Sequence, residues 1–144
     1  MKPLVTIAMI THHEPVGVLE KNIGSVLNQD YDNIKLVIID DKSICIGVPE
    51  FLDYYSAIHD NITVFHTPYN VGYVKAKNLS ILMSQGTDYI ILFDADMWIK
   101  PQLVSLLVDN MDDDCAFTCS NYIKTEDSET IYLFSNLWQG LSYK

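Results

Sequence analysis

A chain of 144 residues, 49% of them apolar, is long enough to bury the core of one domain and too apolar to stay disordered. Its net charge of −10, from 19 acidic and nine basic residues, argues against binding a nucleic-acid backbone, which needs a positive patch. Every basic residue is a lysine, so the bidentate arginine clamp for phosphate is missing as well. No apolar run approaches the ~20 residues that span a bilayer, and no signal peptide precedes the first apolar stretch. The expectation is a cytoplasmic protein without a transmembrane segment.

Leu4 to Thr11 is continuously apolar apart from Thr6, the pattern of a strand buried on both faces. Val16, Leu19, Ile23, Val26 and Leu27 recur at three- and four-residue spacing and predict a helix. Ile34 to Ile39 reads as a second buried strand, ending at Asp40-Asp41. Phe51, Tyr55 and Ile58 mark a short helix, and Ile62 to Phe65 a third strand. Val74, Ile81 and Leu82 predict one side of a further helix, with Asn78 on the same stripe. Tyr89 to Phe93 is read as a fourth buried strand running into Asp94-Ala95-Asp96, and Pro101 opens a helix carrying Leu103, Leu106 and Leu107. Ala116 to Cys119 is a further strand, and Tyr122–Lys124 and Thr130–Phe134 flank a polar turn, as in a hairpin or an irregular extension. Strands alternating with helices imply right-handed crossovers and a mainly parallel sheet. The whole chain, 1–144, is expected to form one domain, with an α/β core to about residue 120 and a β or irregular extension from about 121. Cys45, Cys115 and Cys119 make no even framework and lack zinc-ligand spacing, which leaves buried reduced thiols.

The chemistry gathers at strand ends. In open α/β sheets, ligands bind beyond the carboxyl ends of the strands, near the reversal of strand order. Three strands end there in polar residues: Thr11-His12-His13, Asp40-Asp41 and Asp94-Ala95-Asp96. Two carboxylates one residue apart repel each other unless a cation compensates them, and a hard divalent cation with oxygen ligands does so. Plainer readings stand beside this one. The Asp pairs could solvate a strand end or open a turn, His12 and His13 could be surface loop residues, and Asn70-Val71-Gly72 an ordinary turn into a helix. Lys77 and Asn78 could be simple helix residues, and Glu126-Asp127 a solvated turn.

The order Val5-Thr6-Ile7 to Thr11, Ser25 to Tyr31, Val37 to Ser43, Asn70-Val71-Gly72, Ala76-Lys77-Asn78 and Asp94-Ala95-Asp96 resembles family 2 glycosyltransferases of the GT-A type. The likeness covers about residues 4 to 110 in order and spacing, which makes it far more specific than any single motif. It implies a Rossmann-like GT-A fold, reduced or truncated on the acceptor side. It also implies transfer of a sugar from a nucleotide-diphospho-sugar donor to a saccharide or other hydroxyl acceptor. By analogy Thr11 and His12 lie near the base and Asp41 hydrogen-bonds it. Gly72, Lys77 and Asn78 complete the donor site, Asp94 contacts the ribose, and Asp96 with Asp94 forms the Mn²⁺ or Mg²⁺ pair at the diphosphate. Lys77 stands where the family often has arginine, Ile10 where it has proline, and His12 where it has an aromatic residue. The family's catalytic base lies well downstream of the Asp-x-Asp and is expected beyond residue 144, so no residue here is assigned as general base.

Two other classes compete. A non-catalytic nucleotide-sugar-binding module would bind donor without turnover. A phosphatase or phosphotransferase would use Asp94 as nucleophile and Asp96 as acid, although that chemistry places its Asp-x-Asp on the first strand. Finally, eight apolar residues between Ile131 and Tyr143 predict that the C-terminal segment packs on something, with a homodimer preferred over anionic lipid for so acidic a chain.

Overall fold

The computed structural model describes residues 1–112, 115–120, 123–124, 130–131 and 138–141. Two compact units divide the chain, one formed by 1–21 and 33–96, the other by 22–32 and 97–144.

The first unit holds strands β1 (Val5–Thr11), β2 (Ile34–Asp40), β3 (Ile62–His66) and β4 (Tyr89–Asp94), with helices α2 (Val48–Ile58) and α3 (Tyr73–Met83) between them. Helix α1 (Val16–Leu27) begins in this unit and ends in the other. All four strands are parallel, in the order β3-β2-β1-β4. Central β1 is buried along its whole length, Thr6 included, as its mostly apolar run predicts. Its large side chains Ile7 and Met9 are fully enclosed, a burial that stabilises by roughly 1.5–3 kcal/mol each. Helix α3 packs across β1 and β2, and Ala76 meets Ile10, Val37 and Ile39, with Phe65, Val71 and Leu79 closing the cluster. The sheet is mainly parallel and flanked by helices, the α/β class expected.

Several local expectations are corrected. Strand β4 is not buried on both faces: Ile90 is 38% and Leu92 53% exposed. Among the described residues β4 is an edge strand, and α3, seated over β1 and β2, leaves the outer part of that face bare. The stripe expected to bury α3 is also outward, since Val74, Ile81 and Leu82 are exposed while Ala76 and Ser80 are buried. Small residues bring that helix close to the sheet where large ones would hold it off. Neither Cys45 nor Cys119 is buried, although both are free thiols; the Cys45 thiol donates to the His13 carbonyl at 3.0 Å.

In the second unit the C-terminal half of α1 braces the chain that follows β4. The Asn22 side-chain amide donates to the Met97 carbonyl, and the Ile99 N–H donates to the Ser25 hydroxyl. Gln29 donates to the Lys100 carbonyl at 2.8 Å and accepts the Val104 N–H at 3.1 Å, capping helix α4 (Leu103–Asp109) through its side chain. The helix starts two residues after Pro101, whose carbonyl accepts the Asp30 N–H. Strand β5 (Cys115–Cys119) pairs antiparallel with β8 (Trp138–Leu141), and β6 (Ile123–Lys124) pairs antiparallel with β7 (Thr130–Ile131). The polar turn Glu126–Glu129 and most of the apolar stretch expected to self-associate, including Tyr132, Leu133, Phe134, Leu137 and Tyr143, lie outside the described residues.

Candidate functional site

Strand order reverses between β1 and β4, because β2 and β3 continue from one edge of β1 while β4 adds to the other. At the carboxyl end of that reversal lies a cavity of about 420 Å³, within the range of small-molecule sites. Ile10 to Glu14 line it after β1, Asp41 after β2, Asn70, Gly72, Tyr73 and Ala76 before and within α3, and Asp94 to Asp96 after β4.

Glu14 shapes the loop after β1. One of its oxygens accepts the Thr11 hydroxyl at 2.7 Å and the N–H groups of His12 and His13 at 2.9 and 3.2 Å. Burial alone would push the Glu14 carboxyl up, but the Thr11 and backbone hydrogen bonds outweigh it and hold it below the usual carboxylate value. The loop is also stitched to the β2–α2 connection, where Ile44 donates its N–H to the His12 carbonyl.

Asp41 does the same for the turn that opens α3. It is 4% exposed; Oδ1 accepts the Thr67 hydroxyl at 3.0 Å and the Val71 N–H at 2.7 Å, and Oδ2 accepts the Gly72 N–H at 2.9 Å. Gly72 has φ +85°, a left-handed conformation that a side chain would strain. Asn70 ties this turn to the first loop. Its Oδ1 accepts the Gly72 N–H, which turns its Nδ2 toward His12 Nε2 at 2.8 Å. Nε2 therefore accepts, while Nδ1 is a buried nitrogen with no partner among the described residues.

At the end of β4 the two carboxylates differ. Asp94 Oδ1 accepts the Lys77 ammonium at 2.9 Å and the Tyr73 hydroxyl at 3.4 Å. Lys77 is 12% exposed, reaches the Phe93 carbonyl at 3.4 Å, and lies 5.3 Å from the Tyr73 ring centre. Asp96 is exposed and has no protein partner among the described residues. Four carboxylates thus line the cavity: Glu14, Asp41 and Asp94 accept from protein donors, and Asp96 has none among the described residues. No group of three or more metal-ligating side chains exists among the described residues, so a cation there must complete its shell with water or ligand oxygens.

Of the residues expected from the sequence, Thr11, His12, Asp41, Gly72, Asp94 and Asp96 meet in this one cavity. Lys77 supports it through Asp94, while Asn78 is exposed and stands outside it. Glu14, Asn70 and Tyr73 were missed as site residues. Glu14, three residues after Thr11, was the one legible signal, since a carboxylate in that position closes a loop on backbone N–H groups.

Residues 6–143 match Glycosyl transferase family 2, and the chain belongs to that family. It is 28% identical over 143 residues to the Bacillus subtilis (strain 168) glycosyltransferase TuaG, named for teichuronic acid biosynthesis, covering 99% of this chain and 56% of that protein. An uncharacterized glycosyltransferase of Haemophilus influenzae is 35% identical over 97 residues, 67% of this chain and 38% of the relative. Among solved structures, the mannosyltransferase PcManGT from Pyrobaculum calidifontis, in complex with GDP-Man and Mn²⁺, superposes with a TM-score of 0.67 at 20% identity, over 80% of this chain and 34% of that one. These likenesses carry the GT-A type fold. The chain spans about half the length of the Bacillus relative and roughly a third of the other two.

Proposed function

We propose that the cavity at the β1/β4 reversal binds a nucleotide-diphospho-sugar with a divalent cation, and that the chain is the donor-binding part of a transferase acting on a hydroxyl acceptor. The distribution of charge in the cavity supports this. No lysine lines it, its four acidic residues would repel a diphosphate, and only Asp96 lacks internal compensation. A cation held at Asp96 reverses the sign where the diphosphate would sit, and oxygen ligation suits Mn²⁺ or Mg²⁺. When bound, such an ion neutralises the departing nucleoside diphosphate as the sugar–oxygen bond breaks.

The chain's own residues do the rest. The loop of Thr11 and His12 and the turn ending at Gly72 form the walls for the base, both held rigid by carboxylates that face away from bulk water. Asp41 keeps at most one acceptor position for the base, because three protein donors already use it. Asp94, fixed by Lys77 and Tyr73, is disposed toward a ribose hydroxyl. None of the paired carboxylates is placed to take an acceptor's proton, so acceptor activation is assigned to a group outside this cavity. A phosphatase reading fares worse, because a lysine-paired Asp94 at the fourth strand is a blunted nucleophile. A cytoplasmic setting belongs to the same proposal; among the described residues no helix is long and apolar enough to cross a membrane.

Calorimetric titration of nucleoside diphosphates with and without Mn²⁺ tests the reading. Binding should require the metal and disappear in Asp96→Ala at unchanged circular dichroism. Equal affinity without metal, or an undiminished affinity in the variant, overturns it.

A further inference from the structure

We propose that Tyr73 is a stacking platform for the nucleobase of the donor, a contact that takes the base by its face; the proposal rests on the reading of the cavity as a cation-dependent donor site. Three rings line the cavity, those of His12, His13 and Tyr73. The two histidines lie against each other, with ring centres 4.1 Å apart. Tyr73 meets no other ring among the described residues and is 62% exposed, although it stands in a concave wall. That exposure is not looseness. The backbone before it is set by Gly72, whose N–H is held by Asp41 and Asn70 at the start of α3. Its hydroxyl donates to Asp94 Oδ1 at 3.4 Å, and the Lys77 ammonium stands over the ring, 5.3 Å from its centre. One face of the ring is thus covered and its polar tip tied, while the other face is left to the cavity. The edge-reading groups nearby are largely committed, Asp41 to Val71 and Gly72, and Asn70 to Gly72 and His12. The free face is therefore the larger offer to a base. A planar base laid on it removes apolar surface from water, and a ring already held at three points has little freedom left to lose.

Stacking is tolerant of base identity, because every base has a π face. Calorimetric titration of the whole chain with Mn²⁺ present, using UDP, GDP and inorganic pyrophosphate as probes, isolates the contact. We expect Tyr73→Ala to weaken UDP and GDP about tenfold each and to leave pyrophosphate unchanged. Tyr73→Phe keeps the face and loses only the hydroxyl, so it should bind all three probes as the unmodified chain does. With Mg²⁺ in place of Mn²⁺, proton NMR should show the uracil ring protons of UDP moved upfield by the ring current in the unmodified chain and in Tyr73→Phe. An equal loss for pyrophosphate in Tyr73→Ala means that the residue acts only through Asp94 and Lys77, and overturns the proposal. Undiminished UDP binding by Tyr73→Ala overturns it too, as does a Tyr73→Phe no better than Tyr73→Ala. Uracil protons that stay in place on binding the unmodified chain do the same, a reading that survives even if the alanine variant folds poorly. Failure of the donor-site reading has a separate signature: pyrophosphate and UDP would then bind without a metal ion, or ignore Asp96→Ala.

Discussion

Adjacent aspartates at the end of β2 carry different burdens because successive side chains on a strand point to opposite faces. Asp40 Oδ1 accepts the Ser43 N–H at 2.7 Å and its Oδ2 meets His66 Nδ1 at 2.7 Å, so it closes the turn after the strand. Asp41 holds the turn before α3 and so shapes the cavity wall. Replacing Asp41 with alanine leaves the half-buried Val71 N–H short of its acceptor, while the Gly72 N–H keeps Asn70 Oδ1, at a cost of about 1–3 kcal/mol. Asp41→Ala should therefore lower denaturant stability by that amount and weaken nucleoside diphosphate binding at the same time. A clean loss of binding at full stability would mean that Asp41 serves the base alone. Asp40→Ala should cost similar stability with little loss of nucleotide affinity once both proteins are compared in their folded range.

Among the elements, the second half of α1 and the ends of β2, β3 and α2 make the sharpest predictions. Gln29 satisfies the Lys100 carbonyl and the first free N–H of α4 with one side chain. Gln29→Ala should destabilise by about 1–2 kcal/mol, read as a lower urea midpoint, whereas Gln29→Glu keeps the acceptor and loses only the donor. His66, at the end of β3, sits between Asp40 of β2 at 2.7 Å and Asp53 of α2 at 3.0 Å. Burial would lower its pKa, but the hydrogen bonds and charges of the two carboxylates win and raise it above the ordinary 6.5. A raised pKa means that this clip contributes fully below about pH 6.5 and is lost as pH climbs through the folded-state value. With the ring a third exposed and Asp53 mostly exposed, the contribution is under about 1 kcal/mol after screening. The gap in melting temperature between the unmodified chain and His66→Gln should be larger at pH 5.5 than at pH 8.5, and a gap that grows with pH would reverse the sign.

For the whole molecule, a net charge of −10, partly gathered around one cavity, means that the proposed nucleotide binding should depend on a cation. Metal-free chain should also be more salt-sensitive than metal-loaded chain in its affinity for a nucleoside diphosphate. The apolar content of residues 131–143 leads to a second expectation at this scale, self-association. Static light scattering should give a dimer mass for the unmodified chain and a monomer for Trp138→Ser; a monomer in both removes the C-terminal segment as the cause. Since no cavity carboxylate is available to activate an acceptor, hydrolysis of the donor by this chain should equal or exceed transfer, measured by product analysis with a sugar acceptor present.

Period and order were enough to read the four parallel strands, their helices and the meeting of Thr11, Asp41 and Asp94 at strand ends, because those depend on patterns carried within each segment. Apolar runs marked β1 and β2 as buried strands, as they are, and the sequence of motifs pointed to the family. The same reasoning misjudged β4 and α3, whose apolar residues are exposed, since burial depends on which neighbour lies across the sheet and not on the run itself. Only the family resemblance separated Asp94 from Asp96 in role; the spacing of the two did not. The lysine that neutralises one of them comes from a helix seventeen residues earlier, and only folding brings its amine to 2.9 Å. Likewise Asp41 looked like a charge waiting for a ligand, yet tertiary structure supplies it with the N–H groups of Val71 and Gly72, because a buried carboxylate must collect donors wherever the chain can bend to supply them.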